Sequence, residues 1–477
     1  MPQSQLIPPE LAADVLKTAL HRGGEFADLY AEERWSTGAV LEAGTVGKLS
    51  SGQRRGAGVR VISGGATGFA YTADLSERGL HALARAASAI ADRPGSAVTG
   101  PVPVTVPVLG APPRQEWPEP AQSSRKVKIE RLRYADDVAR GVSPAIAGVH
   151  VSYGDSSRRL TVANSAGTYA EDFQVRNRFN VTCIVRGDTG LQTGYERFVR
   201  TVGSEIFDQI DVADMARGAA RHALTKLNAA PAPSGEYVVV LAAGSGGILF
   251  HEACGHGLEA DNVQRGQSVY ASKLDTPVAG PGVTFVDDGT VPQACGSSRI
   301  DDDGAATRRT TLIEDGRLVG FMRKLEPLRD GAVPTGNPRW QRSTGNCRRQ
   351  SYQHLPLVRM TNTFILPGPE DRAELIGQTR RGIYIAKLGG GQVNVATGEF
   401  VFGTTEAYLI ENGQVTRPLL DTNLLGSGPE ALSGIDAIAG DLDMAWGACD
   451  KDGQRVSVGC GQPSLRIRGL TVGGHAG

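Results

Sequence analysis

Apolar and polar positions change their period several times along the chain. Residues 9–21 put Leu11, Val15, Leu16 and Leu20 on one stripe, the spacing of an amphipathic helix. Residues 27–71 alternate instead, in short runs such as DLYAEERW and GVRVISGGATGFAY broken by glycine, which predicts antiparallel strands with tight turns. Helical spacing returns over 75–92 and 124–140. Between them, 94–122 is too rich in proline for regular helix and is expected to be an extended connection. Residues 145–201 return to a period of two and read as four or five strands. A long helical stretch over 204–228 then ends in the linker-like NAAPAPSGEY. That places a boundary near 230–235 and divides the chain into domains 1–232 and 233–477.

The second half opens with strand 237–243, then GSGG (244–247), then ILFHEACGHGLEAD (248–261). Strands dominate beyond it, with hairpin turns at ED-G (314–316) and EN-G (411–413) and helices over 369–379 and near 428–436. The fold class is α+β. Antiparallel strands flanked by helices form the N-terminal domain, and a β-rich, barrel-like or stacked-sheet domain carrying one buried helix follows. Glycine supports the strand-rich reading: 62 of 477 residues, 13%, against a usual ~7%, with no G-X-Y period.

Charge narrows the partners. Lys+Arg is 50 and Asp+Glu is 51, a net charge of -1, which argues against a general nucleic-acid or membrane-surface binder. The opening residues lack a basic stretch followed by an apolar one, and no apolar run approaches the ~18–20 residues that span a bilayer. Six scattered cysteines do not form a disulfide framework. A soluble, reduced, cytoplasmic protein is expected.

Chemistry concentrates in His251-Glu252-Ala253-Cys254-Gly255-His256. Two imidazoles can hold a metal, and a glutamate beside the first can act as general base on a bound water. The common H-E-x-x-H spacing is i, i+4; here it is i, i+5, which on a regular helix leaves the rings about 140° apart. One metal would require an irregular helix, for which a π-bulge eased by Gly255 is the expected device. Two satisfied core histidines are the competing reading. A catalytic zinc also needs a third protein ligand. Cys254, Glu259 and Asp261 are near in sequence; Cys295, Cys347, Cys449, Cys460 and His354 are distant; spacing does not choose among them.

HEACGHGLEAD resembles the metal motif of the TldD/PmbA family, in its TldD-type, peptidase-active branch. TGNCRRQSYQHLPLVRMTNTFILPG (345–369), GGGQVNVATGEFVFGTTEAYLIENG (389–413) and GACDKDGQRVSVGCGQPSLRIRGLTVGG (447–474) are similar to the family's C-terminal half. The resemblance implies His251 and His256 as zinc ligands, Glu252 as general base, and Cys449, in CDKDGQ, as third ligand to a single zinc. It further implies a heterodimer with a PmbA/TldE-like subunit and a peptide substrate read as an extended strand. Asp450 departs from the glycine expected after the ligand cysteine, and a carboxylate there is expected to raise the thiol's pKa or alter the turn.

Other features carry weaker chemistry. GSGG lacks the lysine of a phosphate-binding loop and reads as a closely packed turn. Gly389, Gly390, Gly391 and Gln392 form either a site where a peptide backbone approaches or a plain β-bulge. Residues 331–369 contain no acid and carry Arg339, Arg342, Arg348, Arg349 and Arg359, a set able to hold a substrate carboxylate, to face an acidic partner subunit, or to form a solvated loop. His354 could donate to an oxyanion. Asp287-Asp288-Gly289 and Asp301-Asp302-Asp303-Gly304 read as turns rather than calcium loops. Two other functions stand beside the zinc peptidase: a metal-dependent enzyme processing a small-molecule amide in a natural-product pathway, and a non-catalytic peptide-binding subunit.

Overall fold

The computed structural model describes residues 5–91, 124–188, 190–203, 205–327, 340–420 and 422–474. The proline-rich 94–122 and Arg339 lie outside them.

The first half is built on one six-stranded antiparallel sheet. Its strands are β1 (Phe26–Glu42), β2 (Thr45–Ser63), β3 (Ala66–Thr72), β4 (Ile146–Asn164), β5 (Thr168–Gly187) and β6 (Gly190–Arg200), in the order β3-β2-β1-β4-β5-β6. These strands are fewer and longer than the sequence suggests. Gly38, Gly47, Gly52, Gly56 and Gly58 sit inside paired strands rather than ending them. Likewise 145–201 forms three strands, not four or five. The chain turns only where it must, as at Gly44 with φ +73°.

Helices cover one face of this sheet. α1 (Pro9–Leu20) and α2 (Glu77–Ala91) pack on β1–β3, while α3 (Arg125–Arg140) and α5 (Val212–Leu227) pack on β4–β6. Ser124 caps α3 through its hydroxyl, as expected of a serine before a helix. The predicted 204–228 helix is interrupted: α4 (Ile206–Gln209) stops at Ile210, and Asp211 caps α5 by accepting from Asp214 N. Period two decides which residues face the helices. Ala27, Leu29 and Ala31 join their core, while Asp28, Tyr30 and Glu32 point to the other face and are nevertheless buried.

The second half contains two further sheets. Five strands close into a small barrel: Arg381–Val393 pairs with Gly235–Leu241, then Leu465–Gly473, Asn423–Ser427 and Glu399–Glu411, which pairs back with Arg381–Val393. Ala230–Pro231 already pairs with Leu419–Leu420, so the chain enters this sheet just before residue 232. The other sheet has six strands: Arg317–Leu318, Arg309–Glu314, Phe285–Asp288, Asn362–Ile365, Gln454–Gln462 and Asp443–Lys451. The expected hairpin turns are present, with Asp315-Gly316 and Asn412-Gly413 all at positive φ. Helix α6 (Gly247–Ala253) lies between barrel and sheet and buries Leu249, Phe250 and His251. Among the described residues no helix is long and apolar enough to cross a membrane.

Candidate metal centre

GSGG delivers α6 to its place. Gly244 has φ +103°, and a Cβ on Gly247 would come within 2.3 Å of the Gly461 backbone. The loop is a tight, closely packed turn, as read. The helix then runs only to Ala253. Cys254 leaves helical geometry at φ -124°, ψ -50°, and Gly255–Leu258 continues as a 3₁₀ turn. This break, rather than a π-bulge, lets histidines five apart face one another. Gly255 serves by its size and not by special dihedrals: a Cβ there would meet Met360 Sδ at 2.3 Å.

His251 and His256 stand edge to face with ring centroids 5.4 Å apart. Cys449 reaches them from strand Asp443–Lys451. Donor atoms of His251, Glu252, His256 and Cys449 all lie within 4.8 Å of one another. His256 Nε2 is 3.1 Å from Cys449 Sγ and 3.6 Å from Glu252 Oε2. Each histidine is held by its other nitrogen. His251 Nδ1 is 2.9 Å from Thr363 Oγ1, and His256 Nδ1 donates to Glu259 Oε2 at 2.9 Å. That leaves His251 Nε2 buried without a hydrogen-bond partner. An orphaned nitrogen facing a thiol and a second imidazole is the arrangement a metal ligand shows before its ion is considered. The donor set fits a tetrahedral cation with one open position.

The electrostatics favour the charged pair. Burial pushes the Cys449 thiol up, but His256 and His251 beside it outweigh burial and hold it down at about 4. Burial also disfavours a charged His256, yet Glu259 and Cys449 raise it well above the ordinary imidazole value. Glu259, fully buried, is brought down to about 2 by His256 and Lys451 against its own desolvation. Lys451 Nζ donates to Glu259 at 2.9 Å and to Asp261 at 2.7 Å. The segment CDKDGQ thus has separable parts. Cys449 points to the site, Lys451 neutralises the carboxylates behind it, Asp452-Gly453 at positive φ turn the hairpin, and Gln454 ties it to Leu355 O at 2.8 Å. Arg359, wholly buried, donates to the carbonyls of Cys449 at 2.6 Å and Gln454 at 3.0 Å.

Other expectations resolve differently. Glu259 and Asp261, weighed as ligands, instead bind His256 and Lys451. Asp450 is exposed, one residue along a strand from buried Cys449, so its side chain faces away and the thiol is not raised. Cys254 is buried and pushed up to about 12, and Cys460 is likewise raised by burial. His354 pairs with Ser351 at 2.8 Å and is not one of the four clustered residues. Gly389–Gln392 lies within strand Arg381–Val393, where the register shifts between Leu388 and Gly391. Asp301–Asp303 are buried and bound by protein donors, Asp303 by Arg60 and Asp302 by the Arg349 backbone. Sequence reasoning missed Thr363 and Lys451. Only the residue pattern K-D-G-Q could have pointed to the lysine, and nothing local pointed to the threonine.

A closed barrel beside a broken helix, with two imidazoles, a thiolate and a free carboxylate converging, defines a candidate metal-dependent hydrolase. Three family domains match the chain: PmbA/TldA metallopeptidase domain 1 over 27–91, the central domain over 118–227, and the C-terminal domain over 234–474. The chain belongs to the PmbA/TldA metallopeptidase family. It is 38% identical over 467 residues to a metalloprotease TldD homolog of Haemophilus influenzae, covering 95% of this chain and 94% of that one. A zinc metalloprotease TldD homolog of Saccharolobus solfataricus is 30% identical over 351 residues, 73% of this chain and 72% of its own. The crystal structure of TldE from Thermococcus kodakarensis superposes with a TM-score of 0.73 at 17% identity, covering 97% of this chain and 100% of that one.

Proposed function

We propose that this protein is a zinc peptidase hydrolysing amide bonds of unfolded peptides, with residues 233–477 as its catalytic domain. The observation that carries the reading is the convergence of the buried, unpartnered His251 Nε2 on His256 and a Cys449 held as thiolate. These three would hold the ion, and a thiolate in the set favours zinc. Bound zinc would supply Lewis acidity at the scissile carbonyl and toward a water. The remaining work falls to side chains. Glu252 is half-exposed with its carboxylate 3.6 Å from His256 Nε2, placed to take a proton from the attacking water and return it to the leaving amine. Glu259 and Thr363 fix the two rings, so the ligands need not reorganise. Gly390–Gln392 expose strand backbone, and a Cβ on Gly390 would meet nothing within 4 Å; we assign an extended substrate to this strand. A PmbA/TldE-like partner subunit belongs to the same reading, supported by the family resemblance, and light scattering of the native complex tests it.

The deciding experiment compares Glu252→Gln with Cys449→Ala. Glu252→Gln is expected to keep its zinc and lose about 10²–10⁴-fold in kcat on an unstructured peptide. Cys449→Ala is expected to lose both zinc and activity. Full zinc loading of the wild type with no peptide turnover would reject the peptidase reading and favour a binding subunit.

A further inference from the structure

Strand β6 is the last strand of the first sheet among the described residues, and two of its side chains reach the second half. Glu196, Phe198 and Arg200 alternate along it, so they share one face at steps of about 7 Å. Glu196 binds Lys387 of strand Arg381–Val393, and His222 of α5 stands 3.3 Å from the same carboxylate. The Arg200 guanidinium lies over two rings. It is 4.7 Å from the Phe198 centroid on its own strand and 4.2 Å from that of Trp446. Burial lowers Arg200 while nearby Asp443 opposes that shift. An arginine stays charged, and a partly desolvated cation gains from the ring faces.

Both partners in the second half belong to strands of the candidate site. Lys387 is followed by Leu388, whose N–H donates to Ser245 Oγ at 2.9 Å in the turn before α6, and then by Gly389–Gln392. Trp446 stands three residues before Cys449 on strand Asp443–Lys451, which ends its sheet. That strand is held by a ladder to Gln454–Gln462 and a single bridge from Met444 to Gly244. Residues 446 and 449 point to opposite faces, so the indole lies behind the strand that aims the thiolate. There it covers its cross-strand partner Gly459, where a Cβ would meet the ring at 2.8 Å. Gly459 borders strand Asn362–Ile365, which carries Thr363, the partner of His251.

We propose that β6 sets the separation between the metal ligands and the strand assigned to substrate: Arg200, through Trp446, positions Cys449, and Glu196, through Lys387, positions Gly389–Gln392. Neither residue is among the four clustered at the metal centre, so both are positioning residues. The Glu196 assignment rests on the peptidase reading, whereas the Arg200 assignment concerns the metal alone. A ladder on one side leaves an edge strand free to twist about it, and an indole clamped from behind opposes that twist. One strand of the first half thereby fixes two strands of the second, and a misplacement of about 1 Å between reacting groups costs on the order of 10²-fold in rate.

The test uses the full-length protein in two arms. In the first, cobalt(II) replaces zinc, and its thiolate-to-metal absorption band reports the geometry at Cys449. Arg200→Met keeps an extended side chain and removes the charge. Arg197→Met, on the opposite face of β6 where Arg197 donates to Asn180 Oδ1, is the control. Arg200→Met is expected to shift the band and to weaken zinc about tenfold against a chromophoric chelator; Arg200→Lys is expected to recover most of the loss, and Arg197→Met to change neither reading. An unchanged band and zinc affinity in folded Arg200→Met overturns the assignment, as does an equal loss in Arg197→Met. Should Arg200→Met fail to fold, Trp446→Phe, which keeps a ring over Gly459, is expected to shift the same band, and an unchanged band overturns the proposal. In the second arm, Glu196→Gln is expected to raise KM for an unstructured peptide about 3–10-fold with kcat and zinc content unchanged. No effect, or a fall in kcat alone, overturns the Glu196 assignment. A wild type that holds zinc and cleaves no peptide would reject the peptidase reading and the Glu196 assignment with it, while the cobalt band still decides the Arg200 assignment.

Discussion

At the scale of single residues, the site is an ion pair before it is a metal centre. With its thiol held at about 4, Cys449 is ionised through the neutral range, facing a His256 raised above its ordinary value. The folded value lies below the unfolded one. The thiolate's contribution to stability is therefore complete above the ordinary cysteine value and lost as pH falls through about 4. Ultraviolet thiolate absorbance of the metal-free protein should persist on acidification until about that pH, and Cys449→Ser should abolish the signal. Glu259→Gln deprives His256 of its acceptor and should weaken zinc binding about 10–100-fold, read by competition with a chromophoric chelator. His251, Glu252 and His256 were legible because one short segment carries them. Cys449 was not separable from the other cysteines on spacing, since all six are buried and free and so look alike to a sequence. Thr363 and Lys451 act from distant strands, a relation that no local pattern encodes. The raised thiol expected from Asp450 fails for a reason the sequence carries: neighbours on a strand point to opposite faces.

At the scale of elements, α6 is short, and close packing rather than helix propensity holds it. Gly247 abuts the Gly461 backbone, and a Cβ on Gly428 would meet Ala253 O at 2.2 Å. Gly247→Ala should therefore cost about 1–3 kcal/mol of stability in thermal unfolding and loosen zinc retention with it. Gly453→Ala, forced into φ +73°, should cost about 1–2 kcal/mol and displace the hairpin that aims Cys449. Period and turn chemistry made most helices and hairpins legible, with ends within a few residues. The glycine spacing over-divides the long strands, because glycine ends a strand in some places and sits inside a paired one in others. In this sheet a glycine often marks close approach: Cβ atoms on Gly56 and Gly58 would strike Tyr352 at 2.4 Å and 2.5 Å.

At the scale of the whole molecule, the two halves are joined through charge. Asp28 binds Arg60 and, at 3.3 Å, Arg349; Arg60 lies 3.4 Å from Asp303; and Tyr30, Leu160 and Val162 pack with Ile300 and Tyr352 around them. Alternation over 27–34 shows that Asp28 and Glu32 share one side of their strand but not what covers it. Asp28→Asn leaves buried guanidiniums short of a partner and should lower stability by about 3–5 kcal/mol, seen as a fall in the urea midpoint. The partners in this junction are separated by some 240 to 320 residues of chain. During synthesis Asp28 and Arg60 emerge long before Asp303 and Arg349. The early sheet can therefore serve as a template on which the later loops settle. A ribosome-stalled fragment ending before residue 300 should already protect β1 and β2 from proteolysis. The second half made without the first should stay open to protease at 300–304 and 347–352, for want of the counter-charges that arrive only with the earlier chain.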